Sequence, residues 1–575
     1  MTTAHPIRRP DRDGHSLRNI AGDVISRRTL LARATTVGAV AFGGRSAFGT
    51  SATLANRLGM ANAMLQGEKL ANEQVVRLPE SEPISLDPGI TRGAKGLEQM
   101  QNLFEGLVYL DQRDGSLQMG LAEKMEPNAD ASEFTFTLRE GLVWSDERPL
   151  NAHDFEWSWK RALDPTSEYT TALYPVKGAA AIVQGEGSPN DLGVVALDNI
   201  TLKVTLEGPT PYFPLLATTW TFYPVPRHVI EVEGDGWTEA GKMVSNGPYV
   251  LTSWKHEQSM VLERNPAYYG EKPVITRVDY TLFADDAAQA LVPFENDELD
   301  QAQVSFVDLG RVKDDPELSA LMQVFPRSGT RFVVCDTTNA PTADVRVRQA
   351  LSLAVGRDIL TTAILKGAFL PAQTMLPPDI PGHNPDATLG EDVAKAKQLL
   401  AEAGFPAGHS FPELTLVYHG ADLAERTTAE YLQAIWRKNL GIEVMLDPME
   451  EAAYQNWFDS RKDQAFNLMV YQWGSDWPDP ANWHNQLFDS RADFYHAHWK
   501  NDDFDRLVRE AAEMPDAAAR IAQYRQAETI LVADAPLIPL YNLDRTYVIK
   551  PNIRGIYHYP VLGRTWNRYI SVVES

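Results

Sequence analysis

Two segments in the first half of the chain alternate strictly between apolar and polar residues. They cover residues 133–139 and 200–206. This period of two predicts β-strands that bury one face each. Between them, residues 152–162 carry Phe155 and Trp159 at helical spacing, and an amphipathic helix is predicted there.

A strand, a helix and a second strand follow one another in the second half. Strand patterns cover residues 413–418 and 442–446, and a long helical pattern covers residues 421–440. Gly441 stands directly after the helix, where glycine turns the chain without steric cost. This order predicts a parallel βαβ unit within an α/β lobe.

The first fifty residues have the pattern of an export signal. Residues 1–25 are polar and basic, Arg27 and Arg28 follow, and a weakly apolar run ends near Phe42. That run is too short to span a bilayer. We predict a twin-arginine signal over residues 1–50, with the cleavage point left open. The alternative is an amphipathic helix with an incidental arginine pair. No cysteine stands directly after the apolar run, so a lipid anchor is not expected.

Length and charge narrow the possible functions. The chain has 575 residues, which favours two or three packed lobes, and a formal net charge of -24. An acidic chain without a basic stripe is not expected to bind nucleic acid. The single cysteine, Cys335, excludes an intrachain disulfide and a cysteine-rich metal site. Its apolar neighbours predict a buried strand residue.

The motifs of common enzymes are missing from the sequence. We find no glycine-rich phosphate loop before a helix and no Gly-x-Ser-x-Gly elbow. His496 and His498, with Asp489 and Asp493 nearby, could ligate a metal, but their segment is loop-like and no metal site is predicted. Residues 111–115 resemble part of a calcium loop without its closing glutamate, and they predict a polar turn. We therefore expect no enzyme activity, no metal and no cofactor.

An ordered series of short motifs runs along most of the chain. It consists of residues 103–107, 120–123, 134–139, 141–146, 149–155, 159–161, 245–251, 264–266, 344–351 and 401–405. Each motif is weak alone, but their order over residues 72–570 is specific. The series resembles the large periplasmic peptide-binding proteins of ATP-driven (ABC) importers, the family that includes oligopeptide- and dipeptide-binding proteins.

The resemblance implies a two-lobed α/β periplasmic-binding-protein fold. Two crossing strands would join the lobes, and an extra domain would pack on the first lobe. The first lobe would comprise residues 72–115, 245–325 and 536–575, the extra domain residues 116–244, and the second lobe residues 326–535. A ligand would lie between lobes that close around it by a hinge motion.

The resemblance also implies site residues. Asp476 stands where the oligopeptide receptors of the family pair a carboxylate with the α-ammonium of the ligand, and Trp473 and Trp477 flank it. Tyr454 matches an aromatic position near the cleft, and Arg461 keeps a basic side chain where the family has one. The alternatives are a structural turn for Asp476 and ordinary core packing for the rings.

The positions expected to bind the carboxyl end of the ligand match the family less well. Two positions that are basic in oligopeptide receptors hold Val470 and Ala424 here, which puts the need for a free C-terminus in doubt. The function implied is a monomeric periplasmic receptor that captures short peptides and delivers them to the membrane subunits of an ABC importer. The alternatives are the same fold binding an opine, a sugar or a metal chelate, and an exported hydrolase.

Overall fold

Strands and helices share the part of the chain that the computed structural model describes. This part is residues 68–574 without residues 92–94, 165–166, 168–169, 284–286, 461–465, 493–496 and 562–565. The chain divides into residues 1–51 and residues 52–575, and every described residue belongs to the second unit. The predicted export signal, Arg461, Asp493 and His496 lie outside the described residues.

The first sheet has four strands. Val75–Ser81 pairs in parallel with Arg277–Phe283, and the antiparallel strands Ser259–Arg264 and Tyr249–Lys255 follow. Burial alternates along the strand Arg277–Phe283. Val278 stands between polar neighbours in this strand and is fully buried. The inward residues belong to one apolar cluster, hereafter the first core, which is built mainly from residues 76–282.

The second sheet confirms the two strands predicted from alternation. Glu133–Leu138 and Thr201–Thr205 pair in antiparallel fashion, between the outer strands Ala122–Pro127 and Val194–Ala196. Phe136 points into the first core and is fully buried. The period of two therefore placed the apolar face correctly.

The helix predicted at residues 152–162 is Ala152–Arg161. Phe155 and Trp159 are fully buried, as helical spacing requires. The helix begins through a reciprocal cap in which the Asn151 side chain accepts from the backbone N–H of His153, and Asp154 accepts from the backbone N–H of Asn151.

The third sheet confirms the predicted βαβ unit. Leu414–His419 and Val444–Met449 are parallel neighbours joined by helix Leu423–Leu440, and Gly441 ends this helix with φ at 72°. The second strand begins and ends later than the predicted residues 442–446. It lies at the edge of the sheet. Pro448 is tolerated there because an edge strand has a neighbour on one side only, so the missing N–H of a proline need not break the ladder.

Two long strands complete this sheet. Met322–Cys335 and Leu537–Ile549 pair in antiparallel fashion, and Leu468–Gly474 lies beside the first of them. Their ladder shifts register between Pro326 and Thr330. This bulge divides the two long strands into a section that lies near the first core and a section that lies inside the third sheet.

Both faces of the third sheet are covered. Val333 and Cys335 face one apolar cluster, the second core, while Phe332 and Val334 face another, the third core. A run of four apolar residues is typical of a strand buried on both sides. Cys335 is fully buried, which confirms its predicted place.

The other elements connect or cover these sheets. The short strands are Val108–Leu110, Leu117–Met119, Gln301–Gln303, Leu370–Pro371, Ile553–Arg554 and Ser571–Val572. The remaining helices are Leu97–Leu103, Ala179–Val183, Phe213–Leu216, Arg227–Glu233, Leu291–Glu295, Leu309–Asp314, Pro316–Ala320, Val345–Leu353, Arg357–Ile359, Val393–Glu402, Glu451–Ser460, His484–Phe488, Asp502–Glu513 and Ala517–Asp534. Single helical turns are Thr170–Leu173, Pro189–Asp191, Trp220–Phe222, Gly234–Thr238, Ala287–Ala290, Leu360–Ile364, Pro406–Gly408, Pro480–Asn482 and Asn567–Tyr569.

Two local predictions concern turns and metals. The predicted polar turn at residues 111–115 joins Val108–Leu110 to Leu117–Met119, and Gly115 donates its N–H to the carbonyl of Asp111 at 2.7 Å.

Within the described ranges, no three histidine, cysteine or acidic side chains group closely enough to hold a metal ion. No helix in those ranges has both the length and the apolar character to cross a membrane.

Candidate functional site

Three parallel strands of the third sheet end at the same edge. They are Leu414–His419, Val444–Met449 and Leu468–Gly474. In open α/β sheets, ligands bind in the crevice outside the carboxyl ends of the strands. The segments that leave this edge contain the sequence-predicted residues Tyr454 and Asp476, and Trp473 lies at the end of the third strand.

Asp476 lies in a loop whose shape is fixed by neighbouring groups. Its backbone N–H donates to the side-chain oxygen of Asn482 at 3.0 Å. Ser475 donates its N–H to the carbonyl of Ser328 at 2.7 Å and accepts a bond from the Trp483 indole N–H, also at 2.7 Å. Asp476 itself is half-buried. The loop therefore keeps a carboxylate at the strand edge.

The two tryptophans that flank Asp476 pack differently. Trp473 is half-buried, lies opposite Thr330 in the ladder and packs against the third core. Trp477 is 5% exposed and packs inside the first core. The structure therefore leaves Trp473 partly accessible and uses Trp477 mainly for packing, and contact of either ring with a ligand stays a prediction.

Tyr454 extends the same edge with an aromatic surface. It is half-buried on helix Glu451–Ser460, and its ring centroid lies 5.5 Å from that of His419 and 6.1 Å from that of Phe458. His419 ends the first of the three strands. The ring pair thus brings the second and the first strand ends together at one place.

A buried charge cluster at this edge was missed by sequence reasoning. The Arg331 side chain is 4% exposed, and its guanidinium lies 3.1 Å from an Asp422 oxygen and 3.0 Å from a Glu425 oxygen. It also donates to the side-chain oxygen of Gln472. The sequence pattern placed Asp422 inside the predicted helix, whereas the structure places it directly before the helix, where it accepts the N–H of Glu425 at 2.9 Å.

The cluster combines one guanidinium with two carboxyl groups. Burial raises the pKa of Glu425 to about 7, although Arg331 acts in the opposite direction. Burial also opposes ionisation of Asp422, but the charge of Arg331 and the hydrogen bonds that Asp422 accepts together outweigh it, and the pKa of Asp422 is lowered. One buried arginine thus faces two carboxyl groups of the chain itself. Arg331 is therefore paired with groups of the chain itself, although its Nε and Nη1 atoms make no hydrogen bond to another described residue.

More carboxyl groups lie beside the bulge of the long strands. The Ser328 hydroxyl donates to Asp379, and Ser328 also holds the loop of Asp476 through Ser475. Burial raises the pKa of Asp379. Burial, and next the charge of Asp379, raise the pKa of Asp544 to about 6. This region therefore suits a cationic group better than an anionic one.

Comparison with known proteins gives a consistent result. Residues 116–495 match the family described as bacterial extracellular solute-binding proteins, family 5 Middle. The chain is 33% identical to the periplasmic oligopeptide-binding protein OppA of Escherichia coli (strain K12), over 91% of this chain and 97% of that protein. It is 35% identical to a protein of the same strain named probable deoxycholate-binding periplasmic protein YgiS, over 84% of this chain and 91% of that protein.

A solved structure is also similar. The murein tripeptide binding protein MppA of Escherichia coli superposes with a TM-score of 0.76 at 29% sequence identity, covering 88% of this chain and 100% of that chain. The two-lobed α/β fold predicted from sequence is confirmed by this similarity together with the observed sheets.

Proposed function

Because the chain belongs to family 5 of the bacterial extracellular solute-binding proteins, we propose that it captures short peptides between its two lobes and delivers them to an ABC importer. The family binds solutes and is not catalytic, so we assign the chain no enzyme activity. Peptides are favoured because OppA and MppA are named for oligopeptides and a murein tripeptide.

The acidic strand edge is the observation that carries the ligand class. Asp476, Asp379 and Asp544 lie on segments that meet at Ser328 and its neighbours. A peptide with a free amino end offers the cation that such an edge prefers. Deoxycholate carries a carboxylate, which this edge would repel, so the similarity to YgiS does not outweigh the peptide assignment.

Within this function, we assign Asp476 to the α-ammonium of the peptide. Tyr454 and Trp473 would contact ligand side chains, Trp477 would shape the loop, and Arg461, which lies outside the described residues, would be a further peptide-binding residue by family resemblance. The peptide main chain would pair with strand-like partners, which explains how one cleft accepts different sequences. Arg331 is paired with Asp422 and Glu425, so we do not assign it to the carboxyl end of the ligand.

The setting of the protein is part of the same proposal. A twin-arginine signal over residues 1–50 would export the chain to the periplasm, where it would act as a monomer without a lipid anchor. The first lobe would comprise residues 72–115, 245–325 and 536–575, the extra domain residues 116–244, and the second lobe residues 326–535.

Thermal denaturation tests the ligand class. A mixture of random tripeptides should raise the melting temperature of protein stripped of ligand, because a ligand at 100 times its dissociation constant adds about 2.7 kcal/mol to the free energy of unfolding. Stabilisation by sugars, opines, metal chelates or deoxycholate, with peptides inert, would reject the proposal. Hydrolysis of peptides or glycosides by the purified protein would favour the exported-hydrolase alternative.

A further inference from the structure

The loop that carries Asp476 also connects the first core to the third core. Trp477 packs in the first core, and among the described residues it is the only buried member of that core drawn from residues 326–535. Two positions later, Asp479 forms a bidentate ion pair with Arg520 of helix Ala517–Asp534, with N–O distances of 2.6 and 2.7 Å. The same short loop is therefore bound on two sides.

Arg520 lies between two tyrosine rings. Its side chain is 7% exposed, and its guanidinium carbon is 5.0 Å from the ring centroid of Tyr212 and 5.1 Å from that of Tyr524. A buried guanidinium needs both a charged partner and favourable ring faces. Asp479 is the charged partner, and both it and the Tyr524 ring belong to residues 326–535, as Arg520 does. The second ring, Tyr212, belongs to residues 116–244.

Tyr212 crosses from one core to the other. Its neighbour Phe213 is fully buried in the first core and begins helix Phe213–Leu216. The Tyr212 ring, in contrast, packs against the third core. Separation of the two cores must therefore remove Tyr212 from Arg520 and Trp477 from the first core in the same movement.

We propose that the Asp476 loop is a latch between the lobes, with Tyr212 and Arg520 as positioning residues for ligand capture. Arg520 holds the loop through Asp479, which caps the turn Pro480–Asn482 by accepting the N–H of Ala481 at 2.8 Å. The Tyr212 ring completes the surroundings of Arg520 only when the lobes are together. The assignment rests on the proposed function, because the latch acts on a ligand held at Asp476.

The latch has an energetic consequence. A ligand that binds only the closed lobes has an apparent affinity proportional to the closed population. Loss of a cation–π contact to a buried guanidinium reduces that population, and we expect an apparent dissociation constant about 10- to 30-fold weaker. Neither Tyr212 nor Arg520 needs to contact the ligand for this effect.

Two substitutions at position 212 distinguish the effect of the aromatic ring from the effect of side-chain size. Tyr212→Phe keeps the aromatic face, and Tyr212→Leu keeps an apolar side chain without the face. Each mature chain would be titrated with a mixture of random tripeptides, followed by thermal shift, and its radius of gyration would be measured by X-ray scattering with and without peptides. Circular dichroism confirms that both variants fold.

The expected result is a 10- to 30-fold weaker titration midpoint and a larger radius of gyration for Tyr212→Leu, with Tyr212→Phe like the unmodified chain. Peptide binding that is equal in all three proteins, with equal radii, would overturn the latch and leave the proposed function standing. Failure of the unmodified chain to bind any peptide would reject the proposed function, and equal radii of the three ligand-free proteins would then also reject the latch.

Discussion

The backbone N–H of Ser475 donates to the carbonyl oxygen of Ser328 at 2.7 Å. Ser328 lies in the bulge where the two long strands shift register, and Ser475 precedes Asp476. This bond ties the carboxylate assigned to the ligand to the place where the strands bend. This bond, together with the adjoining ladder pair of Gly329 and Gly474, couples that bend to the ligand site.

Asp476→Asn should weaken peptide binding strongly. Removing one partner of a buried, hydrogen-bonded ion pair costs about 2–5 kcal/mol of binding free energy, or about 30- to several-thousand-fold in affinity. Isothermal titration calorimetry with a tripeptide measures the change. The matched control is Glu450→Gln, which removes an exposed carboxylate at the same edge and should leave affinity unchanged.

Acetylation of the peptide amino end provides the second arm of that experiment. It should weaken binding to the unmodified chain as much as Asp476→Asn does, and add little in the variant, because both changes delete one contact. If free and acetylated peptides bind the unmodified chain equally, Asp476 has no role in holding the amino end.

The carboxyl end of the peptide should matter little. Arg331 is already paired with Asp422 and Glu425, so a tripeptide amide should bind about as tightly as the free acid. Competition between the two forms in a fluorescence displacement assay checks this. A preference for the free acid of about 2 kcal/mol or more would indicate an ion pair to the ligand carboxylate and contradict the expectation.

Asp544→Asn should stabilise the protein at neutral pH. Burial raises the folded-state pKa of Asp544 to about 6, above the usual 3.8 of an aspartic acid, so its ionisation opposes folding. This penalty is absent below pH 4, grows between pH 4 and pH 6, and is complete above that range. The gain in melting temperature of the variant should follow the same course, and a gain that is constant from pH 4 to pH 8 would exclude this cause.

Gly329→Ala should destabilise the bulge. A β-carbon at Gly329 would lie 2.6 Å from the Leu543 side chain and 3.2 Å from the Trp473 carbonyl oxygen, and overpacking of this kind costs about 1–3 kcal/mol. Its ladder partner Gly474 is the matched control, since the atoms nearest to a β-carbon there belong to the flexible Arg327 side chain, the first of them at 3.2 Å. Urea denaturation of both alanine variants gives the comparison, and equal losses would refute the packing argument.

Replacing Arg27 and Arg28 with lysine should leave unprocessed precursor in the cytoplasm, because the twin-arginine pathway reads this pair. Cell fractionation and immunoblotting measure the precursor. Normal processing and periplasmic recovery of the double variant would rule out the twin-arginine assignment.

The sequence by itself determined the local elements. Strict alternation located Glu133–Leu138 and Thr201–Thr205, and the order of strand, helix and strand located the parallel unit closed by Gly441. These patterns are readable because the period of burial depends only on the local backbone geometry. The family resemblance added the two-lobed fold and the position of Asp476.

Only the tertiary structure decided which distant residues meet. Arg331 and Asp422 are 91 positions apart, and the identity of either gives no sign of the other. Trp477 looks like a neighbour of Asp476 in sequence, yet it packs in the first core, while Arg520 reaches both Asp479 and Tyr212. Such pairings depend on strand register and on how separate cores are brought together, and no local period encodes either one.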